Sequence, residues 1–394
     1  VRIVVLDNST LNAFVAGGQN IFLYTGLIID TRNVGELLGV IAHETGHITG
    51  GHLIRTRQNM ENASVESIIG ALAGVAAGVA ASDAGAGIVG ISAGQQMVME
   101  KMMRNSRTYE SSADQAGLSF MESAGYSSQG TADFLQRLAA EEMLPELQRS
   151  KYMLTHPLSQ QRLETVENFV SHSRNSKKGF PVAYQMAHAR IKAKILGFTL
   201  PQRALRDYKD KTDVPSRYGY AIGLYRTGKI TEALAILADL QKANPSDPYL
   251  QELQGQILFE NGRINESIPF YQRAIAAMPQ AGLIRIALAH AYLESRNPND
   301  ASKAIDQLNQ AKQTESRTPM LFRLLAMAYG RLGREGQAKL ALAEEALLKQ
   351  DNGFAIQQAM TAEKILPTSD KSGRLRARDI ITLAQRNQRA KAEK

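Results

Sequence analysis

Gly228-Lys229-Ile230 returns 34 residues later as Gly262-Arg263-Ile264, and Pro245 and Pro279 repeat the same interval. Looser copies follow at Ser302-Lys303-Ala304-Ile305 and, behind "AYGRLG", at Gly336-Gln337-Ala338. In such a period Gly ends one helix, small Ala positions let a helix pair pack, and Pro breaks the chain before the next pair. No unit of this size buries its apolar face alone, so the units must stack. The back half of the chain is therefore expected to be an α-solenoid whose concave face is open to peptides or proteins.

The 34-residue period is that of tetratricopeptide repeats, expected over 183–366. The chain has 394 residues, long for a single core. "SHSRNSKKGFP" is polar, basic and free of periodic apolar residues, so a linker is placed at 171–182. It separates a front domain, 1–170, from the solenoid. Residues 367–394 read as a basic C-terminal helix that caps the stack. The front domain is net acidic and the remainder net basic, with a formal charge of +8 overall. A basic half could face an anionic partner or simply be solvated helix. Nucleic acid is not expected, since no glycine-rich phosphate loop, aromatic platform or RNA-binding motif occurs.

The front domain opens with three stretches rich in β-branched and aromatic residues, 1–7, 12–15 and 20–28, the last two joined by Gly17-Gly18. Val1 falls inside the first stretch, so the chain is expected to continue upstream, and no export signal is visible. Residues 68–94 are small and apolar, with Gly70, Gly74 and Gly78 four apart. Asp83 cuts the run short of the ~20 residues a spanning helix needs. Two readings stay open for it: a self-packed hairpin or a contact with a membrane surface. The absence of Cys excludes disulfides, thiolate metal sites and cysteine nucleophiles.

"VGELLGVIAHETGHITGGHL" (34–53) has helical apolar spacing and stops at Gly50-Gly51. On a helix His43 and His47 lie about 40° apart and one turn up, so both imidazoles can reach one tetrahedral ion. Glu44, turned about 100° away, can reach a water at an open coordination position. Such a string arises by chance on the order of once in a hundred chains of this composition. A metzincin would need its third His at position 53, which is Leu53, while His52 comes one place early. His52 sits about 140° round from His47 if the helix continues and reads as a supporting or surface residue. Downstream, "RNSRTYESSADQAGLSF" (104–120) sets Glu110 and Asp114 four apart on a second predicted helix. Like charges at that spacing repel by a few tenths of a kcal/mol, and a cation with a His behind it would satisfy both. This assigns Glu110 as third metal ligand and Asp114 as the acceptor for a ligand histidine's outer N–H. An ordinary surface pair of Arg107 with Glu110 is the alternative.

His43-Glu44-Thr45-Gly46-His47 followed by "YESSAD", together with "NAFVAGG" and "THPL", resembles the gluzincin metallopeptidases of the CaaX-prenyl-protease and heat-shock-protease-X superfamily. The resemblance implies an α+β, mostly α fold: a zincin-like metalloprotease domain with a small sheet, followed by the tetratricopeptide solenoid. It implies one Zn2+ per chain on His43, His47 and Glu110, with Glu44 and Asp114 catalytic. It also implies a periplasmic, membrane-peripheral enzyme working on outer-membrane barrel proteins and their assembly machinery. His156, held extended by Pro157, has three open roles: donor to a developing oxyanion, fourth and regulatory metal ligand, or loop anchor.

The reaction expected is peptide-bond hydrolysis on unfolded or misassembled proteins, with Glu44 as base. The strand at Asn12, Ala13 and Phe14 could pair with an extended substrate. The rival expectation is a chaperone or adaptor acting through the repeats, with a silent or tightly gated protease site.

Overall fold

The computed structural model describes residues 1–52, 54–56, 58, 106–141, 151–295 and 297–392; the 68–94 run lies outside the described residues. Contacts divide the chain into two compact units, Val1–Asp207 and Tyr208–Lys394. No helix among the described residues is long and apolar enough to cross a membrane.

In the first unit β1 (Arg2–Leu6), β2 (Ala13–Ala16) and β3 (Asn20–Tyr24) form one sheet in the order β1-β3-β2. β1 runs parallel to β3, and β2 pairs antiparallel with it, Ala13 opposite Leu23. β2 is thus an edge strand. The third apolar stretch departs from the expected strand: residues 25–28 belong to α1 (Thr25–Asp30). Thr25 Oγ1 donates to the Asn8 carbonyl and accepts from the Asn8 N–H, which pins the chain where it leaves the sheet. Leu27, Ile28 and Ile29 are then buried in a row, and a short continuous apolar run does not by itself separate a strand from a buried helix.

α2 (Val34–Thr49) starts at Asn33, whose side chain accepts from Glu36 N–H, and carries Glu36 in its first turn, where the helix dipole favours an anion. Helix α3 covers residues 106–123. It crosses α2 at Gly46, where an added Cβ would come within 2.5 Å of the Ala113 carbonyl oxygen. α4 (Gln129–Glu141) packs on the other end of α2, Gly130 against the Gly35 backbone. Ile21, Leu27, Val40, Leu118, Leu135 and Val166 share the core that results. α5 (Lys151–Thr155) and α6 (Gln160–His172) follow, the latter capped by Ser159, which accepts from Arg162 N–H. α7 (Val182–Thr199) and α8 (Pro201–Tyr208) come after the expected linker. α7 is tied to the end of α1 by His188 against Thr31 Oγ1 at 2.9 Å and by Lys192 Nζ donating to the Thr31 carbonyl.

The second unit is a run of antiparallel helix pairs from α9 (Val214–Arg226) and α10 (Ile230–Ala243) through α11 (Pro248–Glu260), α12 (Ile264–Ala277), α13 (Gly282–Glu294), α14 (Asp300–Ala311), α15 (Pro319–Arg331) and α16 (Glu335–Leu348) to α17 (Asn352–Ile365) and α18 (Lys371–Ala392). Asp213 and Asp247 cap the helices that carry Pro215 and Pro248 in their first turn. Gly228, Gly262 and Gly333 take positive φ between the two helices of a pair, so the last turn glycine is Gly333, three residues before the expected Gly336. Leu253, Ile257, Leu293, Leu308 and Leu321 are fully buried between helices. α18 lays Ala377, Ile380 and Ala384 on alanines of α16 and α17, and Arg376 makes a two-point contact with Glu344 at 2.7 and 2.8 Å.

Candidate metal centre

The crossing at Gly46 and Ala113 sets the geometry of the site. With no side chain at Gly46, α3 comes close enough to α2 for Glu110 and Asp114, one turn apart, to face His43 and His47, one turn apart on the other helix. The loop after α5 brings His156 to the same point. Ligand atoms of His43, His47, Glu110 and His156 lie within 4.8 Å of one another.

The individual contacts are tighter. His43 Nε2 is 3.0 Å from His47 Nε2 and 3.3 Å from His156 Nδ1. Glu110 reaches His43 at 3.3 Å and both His47 and His156 at 3.2 Å. A tetrahedral ion with bonds of about 2.0–2.1 Å holds its ligand atoms roughly 3.3 Å apart.

Proton positions sharpen this. His43 Nδ1 faces Asp114 Oδ1 at 2.8 Å, and His156 Nε2 faces the Ala13 carbonyl at 3.3 Å. Both oxygens only accept, so those ring nitrogens carry hydrogen, and in the neutral rings the opposite nitrogens are bare lone pairs. The bare nitrogens and the Glu110 carboxylate then converge, acceptor on acceptor. Only a cation or an added proton at the centre reconciles them.

Glu44 supplies a second test. It is fully buried and neither carboxylate oxygen has a hydrogen-bond partner; its Oε1 lies 3.4 Å from His156 Nε2, within ion-pair range but outside hydrogen-bonding geometry. A buried carboxylate without a partner is costly. Among the charged groups at the centre, Glu44, Glu110 and Asp114 face Arg162. One divalent cation with neutral histidines would balance them. The donor set and the charge count both fit a metal ion.

Arg162 is the residue that motif spacing did not reveal. Its guanidinium is 4% exposed. It donates to Asp114 from Nε at 2.6 Å and Nη2 at 3.0 Å, and to the Pro157 carbonyl at 2.8 Å. Nη1 also lies 3.1 Å from Glu110 Oε2. One side chain therefore fixes both carboxylates and the loop that carries His156. Arg107 is exposed.

Burial alone would lower the His43 pKa, but hydrogen bonds and charge from Asp114 and Glu110 raise it to about 10. For His47 burial wins over the attraction of Glu110, and the shift is downward. Burial would raise Glu110, yet hydrogen bonds from His156, His43 and His47 hold it well below the usual carboxylate range. Asp114 is likewise held down by His43 and Arg162 against burial. His52, expected as supporting or surface, is buried, and burial with the neighbouring His47 charge lowers it to about 4.

The strand residues lie beside this centre. Asn12 and Ala13 are buried, and Phe14 stacks on Phe22 with centroids 5.1 Å apart. The segment before His156 covers the start of β2. Tyr152 N–H donates to the Leu11 carbonyl, Thr155 Oγ1 to Asn12 Oδ1 at 3.4 Å, and His156 to the Ala13 carbonyl.

Residues 1–170 match the peptidase family M48 model, and residues 218–282 and 258–326 match tetratricopeptide repeat models. The beta-barrel assembly-enhancing protease of Yersinia pestis is 28% identical over 358 residues, covering 87% of this chain and 71% of that protein. Its counterpart in Escherichia coli (strain K12) is 26% identical over 348 residues, 86% and 69% of the two chains. Metalloprotease LoiP of the same strain is 31% identical over 165 residues, 41% of this chain and 59% of that one.

Proposed function

Because residues 1–170 are a peptidase family M48 domain and the repeats behind them are tetratricopeptide units, which makes the chain a metalloprotease, we propose that it is a zinc-dependent endopeptidase for misfolded or stalled outer-membrane proteins. The convergence of His43, His47 and Glu110 beside the unpartnered Glu44 carries this reading. An N₂O donor set favours zinc.

When bound, the ion supplies Lewis acidity toward a water and a scissile carbonyl. Glu44 accepts the proton of the attacking water and passes it to the leaving amine. Asp114 holds His43 in the tautomer that leaves Nε2 free to ligate, and Arg162 holds Asp114.

His156 is the regulatory ligand of the resting form in this proposal. While the segment that carries it is seated, His156 would hold a bound ion together with His43, His47 and Glu110, and the segment covers residues 11–13 at the start of β2. Four hydrogen bonds, the three to residues 11–13 and the donation from Arg162 to the Pro157 carbonyl, hold it there by about 2–6 kcal/mol at about 0.5–1.5 kcal/mol each. Release frees the Ala13 carbonyl to pair with an extended substrate along Asn12, Ala13 and Phe14.

The relatives named as beta-barrel assembly enhancers support an outer-membrane setting, with the chain peripheral in the periplasm and its repeats gathering clients or assembly machinery. The covered strand edge also favours a second reading, a chaperone or adaptor with a tightly gated protease. Glu44→Gln separates the two: an endopeptidase loses cleavage while keeping its metal and its clients. Cleavage equal to that of the unaltered protein overturns Glu44 as base.

A further inference from the structure

The Gly50-Gly51-His52 triplet that closes α2 has no part in the mechanism above. Gly50 is the C-cap, and Gly51, at φ +62°, takes the left-handed conformation that ends the helix. The space a Cβ would need at Gly50 is occupied by the His52 ring, with Nε2 2.3 Å away and two ring carbons at 2.7 and 2.8 Å. The turn thus folds an imidazole beneath the last turn of the helix, where it is 4% exposed.

Two contacts define what that ring does. Its Nδ1 lies 3.0 Å from Nδ1 of His47. Its face stacks on Tyr109, centroids 4.7 Å apart and planes 18° from parallel, and Tyr109 is the residue before Glu110. Because His47 turns Nε2 toward His43 and Glu110, a neutral His47 carries its hydrogen on Nδ1. That hydrogen points at His52.

We propose that His52 is the positioning residue of His47. It accepts the His47 Nδ1–H, fixes the tautomer that leaves Nε2 bare toward the cluster, and through Tyr109 ties the end of α2 to the segment bearing Glu110. The three histidines of the centre then have their outer N–H groups engaged: His43 on Asp114, His156 on the Ala13 carbonyl, His47 on His52. A neutral imidazole as acceptor adds no fourth carboxylate to a centre whose charges already balance around one divalent ion. Gly50 is required because any side chain there displaces the ring.

The inference rests on the metal-centre reading, and its test separates the two. Zinc affinity is measured on the whole chain by competition with a chelating dye, beside the melting temperature of the metal-stripped protein. His52→Phe keeps the stack and the volume but not the acceptor, and is expected to weaken zinc by about 10- to 100-fold with the metal-free melting temperature unchanged. His52→Asn places Oδ1 where Nδ1 was and restores affinity to within about threefold. Gly50→Ala, which keeps an ordinary φ, weakens zinc in the unaltered chain and has no further effect with His52→Asn, where no ring remains to be displaced. Should His52→Phe not fold, the Gly50→Ala and His52→Asn pair decides alone. Tight zinc binding by the unaltered chain with His52→Phe within about twofold of it, or a Gly50→Ala loss that persists with His52→Asn, overturns this inference and leaves the metal centre standing. No zinc binding by the unaltered chain overturns both.

Discussion

Replacing Arg162 by Leu removes the one guanidinium that Asp114 and Glu110 share. Three of its nitrogens lie within 3.1 Å of those carboxylates, and the group is 4% exposed. Surface screening therefore does not apply. Deleting one partner of a buried pair typically costs about 3–5 kcal/mol, because the remaining charge stays buried without compensation. In a unit of this size each kcal/mol moves the melting temperature by roughly 2–4 °C, so the metal-stripped variant should melt about 6–20 °C lower at pH 7. The pH course distinguishes this cause from lost packing. Asp114 and Glu110 are depressed in the folded protein. Their contribution is present above the unfolded carboxylate range and is lost as pH falls through their folded values. The gap between Arg162→Leu and the unaltered protein should be full at pH 6–7 and shrink below about pH 4. Thermal melts in chelator across pH 3–8 measure it, and a gap under about 1 kcal/mol, or one constant with pH, refutes the argument.

Metal binding should depend steeply on pH. With a metal-free pKa raised to about 10, the proton on His43 contributes stability that is complete below the unfolded value of 6.5 and lost as pH rises through 10. An ion must displace that proton, so apparent zinc affinity should rise about tenfold per unit between pH 7 and 9; dye competition at three pH values checks this, and a flat profile contradicts it. His188, buried against Thr31 and lowered to about 4 by burial and the Lys192 charge, works in the opposite window. Its neutral form stabilises the fold fully above pH 6.5, and that contribution fades as pH falls toward 4, so His188→Asn should flatten the acid limb of the melting curve between those values.

The side-chain cluster of the candidate site was largely legible because its parts are local. His43, Glu44 and His47 are set by one helical turn, and Glu110 and Asp114 by another, so periodicity places each pair on one face. Arg162 was not legible, since it answers carboxylates 48 and 52 positions upstream and nothing on its own helix marks it. Two unpartnered acids and one missing cation were the available signal. For His52 the sequence leaves a supporting and a surface role open, and it is the left-handed Gly51 that brings the ring against Gly50 and buries it. The apolar run at 25–28 fits strand and helix alike, and the contacts between Thr25 and Asn8 mark where the helix starts. The solenoid was legible from its turn glycines and prolines, though Gly333 rather than Gly336 takes the positive φ.

Metal content measured beside casein cleavage on the same preparations tests whether this protein is a gated zinc peptidase. Unaltered protein, His156→Ala and Glu44→Gln should each hold one zinc per chain. Cleavage should be weak in the first, higher by about fivefold or more in the second, since at least one hydrogen bond of about 1 kcal/mol no longer holds the loop, and absent in the third. No bound zinc, or cleavage by Glu44→Gln at the unaltered rate, would mean that the protein is not a zinc peptidase with Glu44 as its base.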